Sequence, residues 1–439
     1  MKTKIKAGVA CLARKTFDYT KAYELYKEML EELNSDSDTE IIAVDGLVIE
    51  PEDAERAAEF LYSREVDCLI IISGTFHLGH LALIIKNKLD KPALLYGFKE
   101  LGYDGGKIRL NSVCGVNLNA SNLYKGGFKD YVYQIGNGVD TAFLDAVRIN
   151  KALNGMRLAI IGYRAKGFFN VDVDEMSLFR QFGILVDHYE ISDILNYKVD
   201  DALREHYGNL LTAEFDIKGL NDEQLIKVAV LAAKFKAFSL DKNITALAVR
   251  CWPEFADNYG ISPCAAMSIL QSEGLITACE GDIDCAVTMA AHRAAGGGTP
   301  FMADLSQIDF DAGFALMWHC GVAPCNLKDN RCTASLDTYF AGGRGVTVDF
   351  VMKEGAISAM RFDSVSGVYR LFMTKGEGLP MRKELKGTYL KVRFARPVNE
   401  VLDSVVYNGI AHHVSVAYGD FTRAFEIFAR IKGIEVISV

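Results

Sequence analysis

Proline is scarce in this chain, eight among 439 residues, and no stretch is biased toward glutamine, serine or one sign of charge. Those absences exclude proline-rich linkers and a disordered tail, so the chain reads as globular throughout. No apolar run reaches the length of a membrane helix. Lysine and arginine form no stripe and the formal net charge is -9, which argues against nucleic acid and membrane as partners and for a small-molecule substrate. The phosphate-binding glycine patterns are missing too. There is no GxxxxGK[ST], and no GxGxxG follows the first strand, so a nucleotide cofactor is not expected.

Cysteine is present without pattern. Ten are scattered from Cys11 to Cys332, several inside apolar strand-like runs (Cys11, Cys68, Cys279), where a small thiol serves as an ordinary core residue. They read as reduced, and Cys320 and Cys325, with no second pair at zinc-site spacing, read as structural. The start, Met1-Lys2-Thr3-Lys4, leads directly into a strand-like run without the apolar core of a secretory signal, so the expected compartment is the cytoplasm.

Half of the residues are hydrophobic, and the length suggests roughly two to four domains with substantial cores. The first third alternates short apolar runs (Ala7-Leu12, Ile41-Val44, Cys68-Ile72, Ala93-Tyr96) with helical stripes. One stripe is Ala22, Leu25, Met29 and Leu33; another, opened by Pro51, is Ala54, Ala57, Ala58 and Leu61. After a helix over Ala142-Leu153 the alternation restarts at Leu158-Ile161. It continues through Ala246-Val249, Leu275-Cys279, Pro300-Ala303 and Ala315-Trp318, with helices at Pro263-Gln271 and Asp284-Ala295. From Ala341-Gly345 onward the pattern is strand after strand, with Ser366-Gly367 as a tight turn and a short helix at Thr422-Ala429. The expected fold is α/β. Two open, Rossmann-like parallel-sheet domains (residues 1–155 and 156–329) precede a smaller β-rich, barrel-like C-terminal domain (330–439).

In open α/β sheets ligands gather beyond the carboxyl ends of the strands, where loops can spare polar groups. Arg250, Glu280, Asp304 and His319 each follow an apolar strand of the second domain. Two carboxylates and an imidazole suit a hard or borderline divalent ion such as Mn²⁺, Mg²⁺ or Co²⁺, and acid-base chemistry beside it. His412-His413 begins a later strand. Alternation would put His412 on the side of Val414 and Val416 and His413 on the side of Ser415, so only one is expected to face a given site. His292, inside a helix, reads as a packing or surface histidine, and Gly296-Gly297-Gly298 as a helix end. Phe76-His77-Leu78-Gly79-His80, past the third strand, places an aromatic and a histidine at a ligand-side edge.

At these residues the chain resembles the L-fucose isomerase and L-arabinose isomerase superfamily. The similarity runs through Leu12-Ala-Arg-Lys-Thr-Phe-Asp18, Gly155-Tyr163, Arg250-Cys-Trp-Pro-Glu-Phe255, Ala278-Cys-Glu-Gly-Asp282, Gly298-Thr-Pro-Phe-Met-Ala-Asp304, Trp318-His-Cys-Gly-Val-Ala-Pro324 and Ala411-His-His413. Arabinose isomerases carry a glutamate where this chain has Ala303; the fucose-isomerase pattern fits better. The resemblance implies a metal-dependent aldose-ketose isomerase working through an enediol, with Mn²⁺ (or Mg²⁺ or Co²⁺) held by Glu280, Asp304 and His413, and the two carboxylates as catalysts. His319, Arg250, Trp252 and His412 would contact the sugar. It further implies a homo-oligomer, trimer or hexamer, in which the Phe76 and His77 loop of one subunit completes the site of another. Two alternatives share the scaffold: a non-catalytic sugar-binding or regulatory protein, and a metal-dependent sugar lyase or epimerase. The sugar stays open among fucose, arabinose, xylose and modified hexoses, acidic or sulfonated ones included.

Overall fold

A computed structural model describes all residues except 1, 137, 218, 341 and 342, and the side chain of 340. The change of pattern read at residues 341–345 thus falls partly outside the described residues. The chain divides into two compact units, one of residues 2–151 with 423–434, the other of 152–422 with 435–439.

The first unit is a five-stranded parallel sheet of β1 (Ile5–Leu12), β2 (Thr39–Val48), β3 (Cys68–Ser73), β4 (Ala93–Phe98) and β5 (Tyr131–Gly136), in the order β2-β1-β3-β4-β5. Its inner strands are buried along their whole length, as both faces are covered by helices. Helix Tyr19–Leu33 starts at Asp18, whose carboxylate accepts from the Lys21 amide, and buries Ala22, Tyr26, Met29 and Leu33. Tyr26 therefore takes the place expected for Leu25, its hydroxyl donating to the Val44 carbonyl at 2.9 Å. Pro51 opens the next helix, and a reciprocal cap between Glu50 and Asp53 holds that end.

The second unit carries two sheets. β6 (Arg157–Ile161), β7 (Leu185–Tyr189), β9 (Ala246–Val249) and β10 (Ile276–Cys279) form a parallel sheet in the order β10-β9-β6-β7; β8 (Asp216–Ile217) lies elsewhere. The other sheet contains β11 (Phe301–Asp309), β12 (Phe314–His319), β13 (Ser335–Phe340), β14 (Gly345–Val351), β15 (Gly355–Val365), β16 (Val368–Leu379), β17 (Thr388–Phe394), β18 (His413–Tyr418) and β19 (Glu435–Ser438), with β8 at its margin. Six of these strands, in the order β16-β15-β18-β11-β12-β17, are antiparallel neighbours, and pairing of β16 with β17 closes them into a barrel. Closure removes the open edges that would otherwise expose unpaired backbone. The β15–β16 hairpin turns at Ser366 and Gly367, both with positive φ (52° and 75°), as a two-residue turn of this hand requires.

The parallel α/β sheets and the barrel agree with the expected fold class. One placement differs. β11 and β12, expected to continue the second parallel sheet, pair antiparallel with each other and with barrel strands β18 and β17. A short buried apolar run looks alike in either setting, so periodicity could not separate them. Asp304 accordingly lies inside β11, not beyond its end.

Candidate metal centre

Glu280 owes its position to the backbone. It directly follows β10 with φ 63°, left-handed and uncommon for a residue with a side chain, and Gly281 follows at φ 75°. A Cβ on Gly281 would stand 2.6 Å from the Arg164 Cα and the Tyr163 carbonyl oxygen, so only glycine fits there. The sharp turn is tied by the Ala165 amide donating to the Glu280 carbonyl at 2.9 Å and the Gly281 amide donating to the Val249 carbonyl at 3.1 Å. It ends at Asp282, which caps helix Ile283–Ala295 by accepting from the Cys285 amide. Such strain is at home in a functional site.

The barrel supplies the other half. Asp304 on β11 is the direct cross-strand partner of His413 on β18 and of Trp318 on β12. Directly opposed residues project to the same face with Cβ atoms roughly 5 Å apart, which brings the aspartate, the imidazole and the indole together. The His413 Nε2 lies 3.2 Å from Glu280 Oε2 and 3.5 Å from Asp304 Oδ1. His412 Nε2 stands 3.7 Å from the same Glu280 oxygen.

Two groups of donor atoms converge here, Glu280 with His319 and His413, and Asp304 with His412 and His413, each within a 4.8 Å span. Donors each roughly 2.1 Å from one ion lie about 3 to 4 Å apart, so the observed separations fit a common cation. The Glu280 Oε2 and Asp304 Oδ1 atoms are buried and make no hydrogen bond. Buried carboxylate oxygens without donors are costly, and a divalent ion would satisfy both at once. The oxygen-rich, thiol-free donor set suits manganese or magnesium better than a thiolate-seeking ion.

Behind these groups lies a buried ionic network. His413 Nδ1 is 2.8 Å from Asp282 Oδ2, and Arg361 Nη1 is 2.8 Å from the same oxygen. Burial would raise the Asp282 carboxyl, but the Arg361 charge and His413 hold it well below the usual carboxylate range. Burial alone would likewise raise Glu280; the adjoining imidazoles of His412 and His413 and the charges of His413 and His319 outweigh it and bring it to about 2. His413 shows the complement: burial disfavours its cation, yet Asp282 and Glu280 raise it to about 9.

The remaining expected residues are distributed as follows. His319, at the end of β12, is buried, with Nδ1 3.3 Å from the Cys320 thiol and its ring centre 5.7 Å from that of His413. Arg250 follows β9, pairs with Glu254 and donates to the Gly162 carbonyl at 3.4 Å; Trp252 is two residues further on, half-buried. Both histidines of the 412–413 pair reach the site, contrary to the expectation that only one could. β18 begins at His413, so His412 precedes the strand and escapes its alternation. The two rings lie 3.9 Å apart, and His412 is fixed by Asn170 at 3.0 Å and by the edge of Phe168. His292 is a packing histidine, buried between Ser415 and Ser358. All ten cysteines are free.

Phe76 and His77 belong to the first unit. His77 is buried, its ring nitrogens placed against Ser73, Asn119 and the Leu78 carbonyl; Phe76 is half-buried beside Phe17. Sequence reasoning gave no role to Asp282 or Arg361. The signals were a charged pair, Arg361 and Asp363, at inward positions of an apolar strand, and an acid two residues after Glu280.

Residues 8–154 match the family model for the fucose/sulfoquinovose isomerase N-terminal domain. That match and the relatives that follow support a fucose-isomerase-like family for the chain. It is similar along nearly its whole length to the sulfoquinovose isomerase of Priestia aryabhattai, 27% identical over 434 residues, with 97% of each chain covered. The sulfoquinovose isomerase of Alkalicoccus urumqiensis is 25% identical over 441 residues, covering 98% of both. That of Clostridium sp. (strain MSTE9) is 27% identical over 364 residues, covering 80% of this chain and 81% of the relative. Among the described residues no helix is long and apolar enough to cross a membrane.

Proposed function

We propose that this chain is a fucose-isomerase-like aldose-ketose isomerase acting on a modified sugar, with sulfoquinovose, the sugar named for its relatives, as substrate, and that it depends on a divalent ion. The observation that carries the proposal is the convergence of Glu280, Asp304 and His413 with two buried carboxylate oxygens left without donors.

Interconverting an aldose and a ketose moves one proton between C1 and C2 and another between their oxygens, through an enediol. In this reading Glu280 and Asp304 are the acid-base pair, and with His413 they hold a manganese ion. The ion, when bound, supplies charge stabilisation for the developing oxyanions. His413 brings no proton of its own to the sugar, because its Nδ1 faces Asp282 and its Nε2 faces the two carboxylates. His319, His412, Arg250 and Trp252 would orient hydroxyl groups and shield the reacting carbons from water.

The proposal includes a cytoplasmic homo-oligomer, trimer or hexamer, in which the loop at Phe76 closes a neighbouring copy's site. His77, being buried, would brace that loop from within. Incubating metal-stripped and Mn²⁺-loaded protein with sulfoquinovose, fucose, arabinose and xylose in D₂O tests the reading by NMR. Ketose should appear from sulfoquinovose in the loaded sample only, with deuterium entering at C2 of recovered aldose. Absence of ketose from every sugar would contradict it, and a product lacking the intact carbon chain would favour a lyase.

A further inference from the structure

Arg361 and Asp282 are both fully buried, with side chains at 0% exposure, and neither is among the groups that converge on the centre. A buried ion pair adds little stability over apolar residues of the same shape, so a pair placed directly behind one site histidine calls for a role in that site. The geometry supplies one. Arg361 Nη1 donates at 2.8 Å to Asp282 Oδ2 and at 3.0 Å to the backbone carbonyl of His413, while Nη2 reaches Asp282 Oδ1 at 3.2 Å. Its Nε lies 3.2 Å from Asp363, which is held in turn by Arg370. One guanidinium therefore fixes both the main chain of His413 and the carboxylate that its ring contacts. It ties β15, the start of helix Ile283–Ala295 and β18 into one frame.

Asp282 Oδ2, 2.8 Å from His413 Nδ1, is a carboxylate oxygen and accepts only. The Nδ1 therefore carries a proton, and Nε2 is the nitrogen aimed at Glu280 and Asp304. We infer that Asp282 and Arg361 are positioning residues: together they set the tautomer and the aim of His413, so that its Nε2 is available as a metal ligand. Partners of this kind orient ligand imidazoles and raise their basicity. Lysine at 361 keeps the charge, but its single ammonium cannot reproduce the planar fork.

The inference rests on the metal reading above, and calorimetric titration with Mn²⁺ separates the two. The samples are wild type, His413→Ala, Asp282→Asn and Arg361→Lys, each checked for folding by circular dichroism. Asp282→Asn and Arg361→Lys should bind with unchanged stoichiometry and about 10- to 100-fold weaker affinity. Excess manganese should return turnover in both toward the wild-type value. A purely structural role would lower the melting temperature without changing the affinity of the folded protein. Wild-type affinity in folded variants overturns the inference while the metal reading stands. Undiminished binding in His413→Ala overturns both. Should neither variant fold, ¹⁵N NMR of Mg²⁺-loaded wild type decides: the His413 ring must carry its proton on Nδ1, and a proton on Nε2 refutes the assignment.

Discussion

Asp304 and His413 face each other as direct partners across β11 and β18, with the His413 Nε2 3.5 Å from an Asp304 oxygen that has no hydrogen bond. That pairing ties one proposed metal carboxylate to the barrel, while Glu280 comes from the end of a parallel strand. The centre is thus built where two sheets of the same unit meet. A one-residue slip of β18 would turn His413 away from Asp304.

Metal removal is the first prediction that follows. Exhaustive chelation should abolish isomerase turnover, and Mn²⁺ should restore it, since oxygen and imidazole donors favour such an ion. Thermal melting gives an independent readout. A ligand that binds only the folded chain raises stability by about 2.7 kcal/mol at a hundredfold excess over its Kd. Equal melting with and without manganese would contradict a bound ion.

The two histidines should separate. His413→Ala should lower metal content, because the ring is buried among both carboxylates. His412→Ala should keep the metal and alter sugar binding, for the His412 ring is partly exposed, with its Nδ1 engaged by Asn170. Metal analysis of both purified variants checks the assignment.

Arg250→Lys and Trp252→Phe should raise KM and leave kcat within a few-fold, if those residues only position the sugar. Arg250 is held by Glu254 and by the Gly162 carbonyl, and lysine cannot keep both contacts in a planar fork. Steady-state kinetics on each variant reads the split.

Much of this arrangement was legible in the chain. Glu280 and Asp304 stood out because ionisable residues beside apolar strands are costly unless used, whereas His413 was set apart from His412 only by the family resemblance. Most parallel strands of both α/β sheets could be seen from buried runs alternating with helical stripes, but the edge strands β5 and β7, with few buried residues, could not. The antiparallel setting of β11 and β12 could not, since strand direction depends on partners distant in sequence. Asp282 and Arg361 escaped for a related reason: their meaning arises only when residues 79 positions apart form an ion pair. The expectation that only one of His412 and His413 could face the site failed because the alternation rule holds inside a strand and His412 stands one residue before β18.

Asp284 offers a pH test away from the metal ligands. Burial, with the nearby charges of Asp282 and Asp363, raises its carboxyl to about 8 against the opposing influence of Arg361 and of the Tyr369 hydroxyl, which donates to it at 3.0 Å. The folded protein therefore keeps a proton that the unfolded chain loses near pH 4. That contribution is complete below about pH 4 and is lost as pH rises toward 8, at up to about 1.4 kcal/mol per pH unit. Asp284→Asn mimics the protonated form and should flatten the fall. Urea denaturation of metal-free protein from pH 5 to 8 measures it, and parallel curves for the two proteins would refute the assignment.

Turnover of Glu280→Gln, measured on the same sample as its metal content and its folding, bears most directly on the proposed chemistry. Glutamine keeps the size of the side chain and a carbonyl oxygen for the ion but cannot exchange a proton. Loss of a general acid-base group costs typically about 10²- to 10⁴-fold in rate, so a folded, manganese-loaded Glu280→Gln protein should convert sulfoquinovose at least about 100-fold more slowly than wild type. Turnover near the wild-type rate in that folded, metal-bound variant would show that Glu280 is not an acid-base catalyst and would contradict the mechanism.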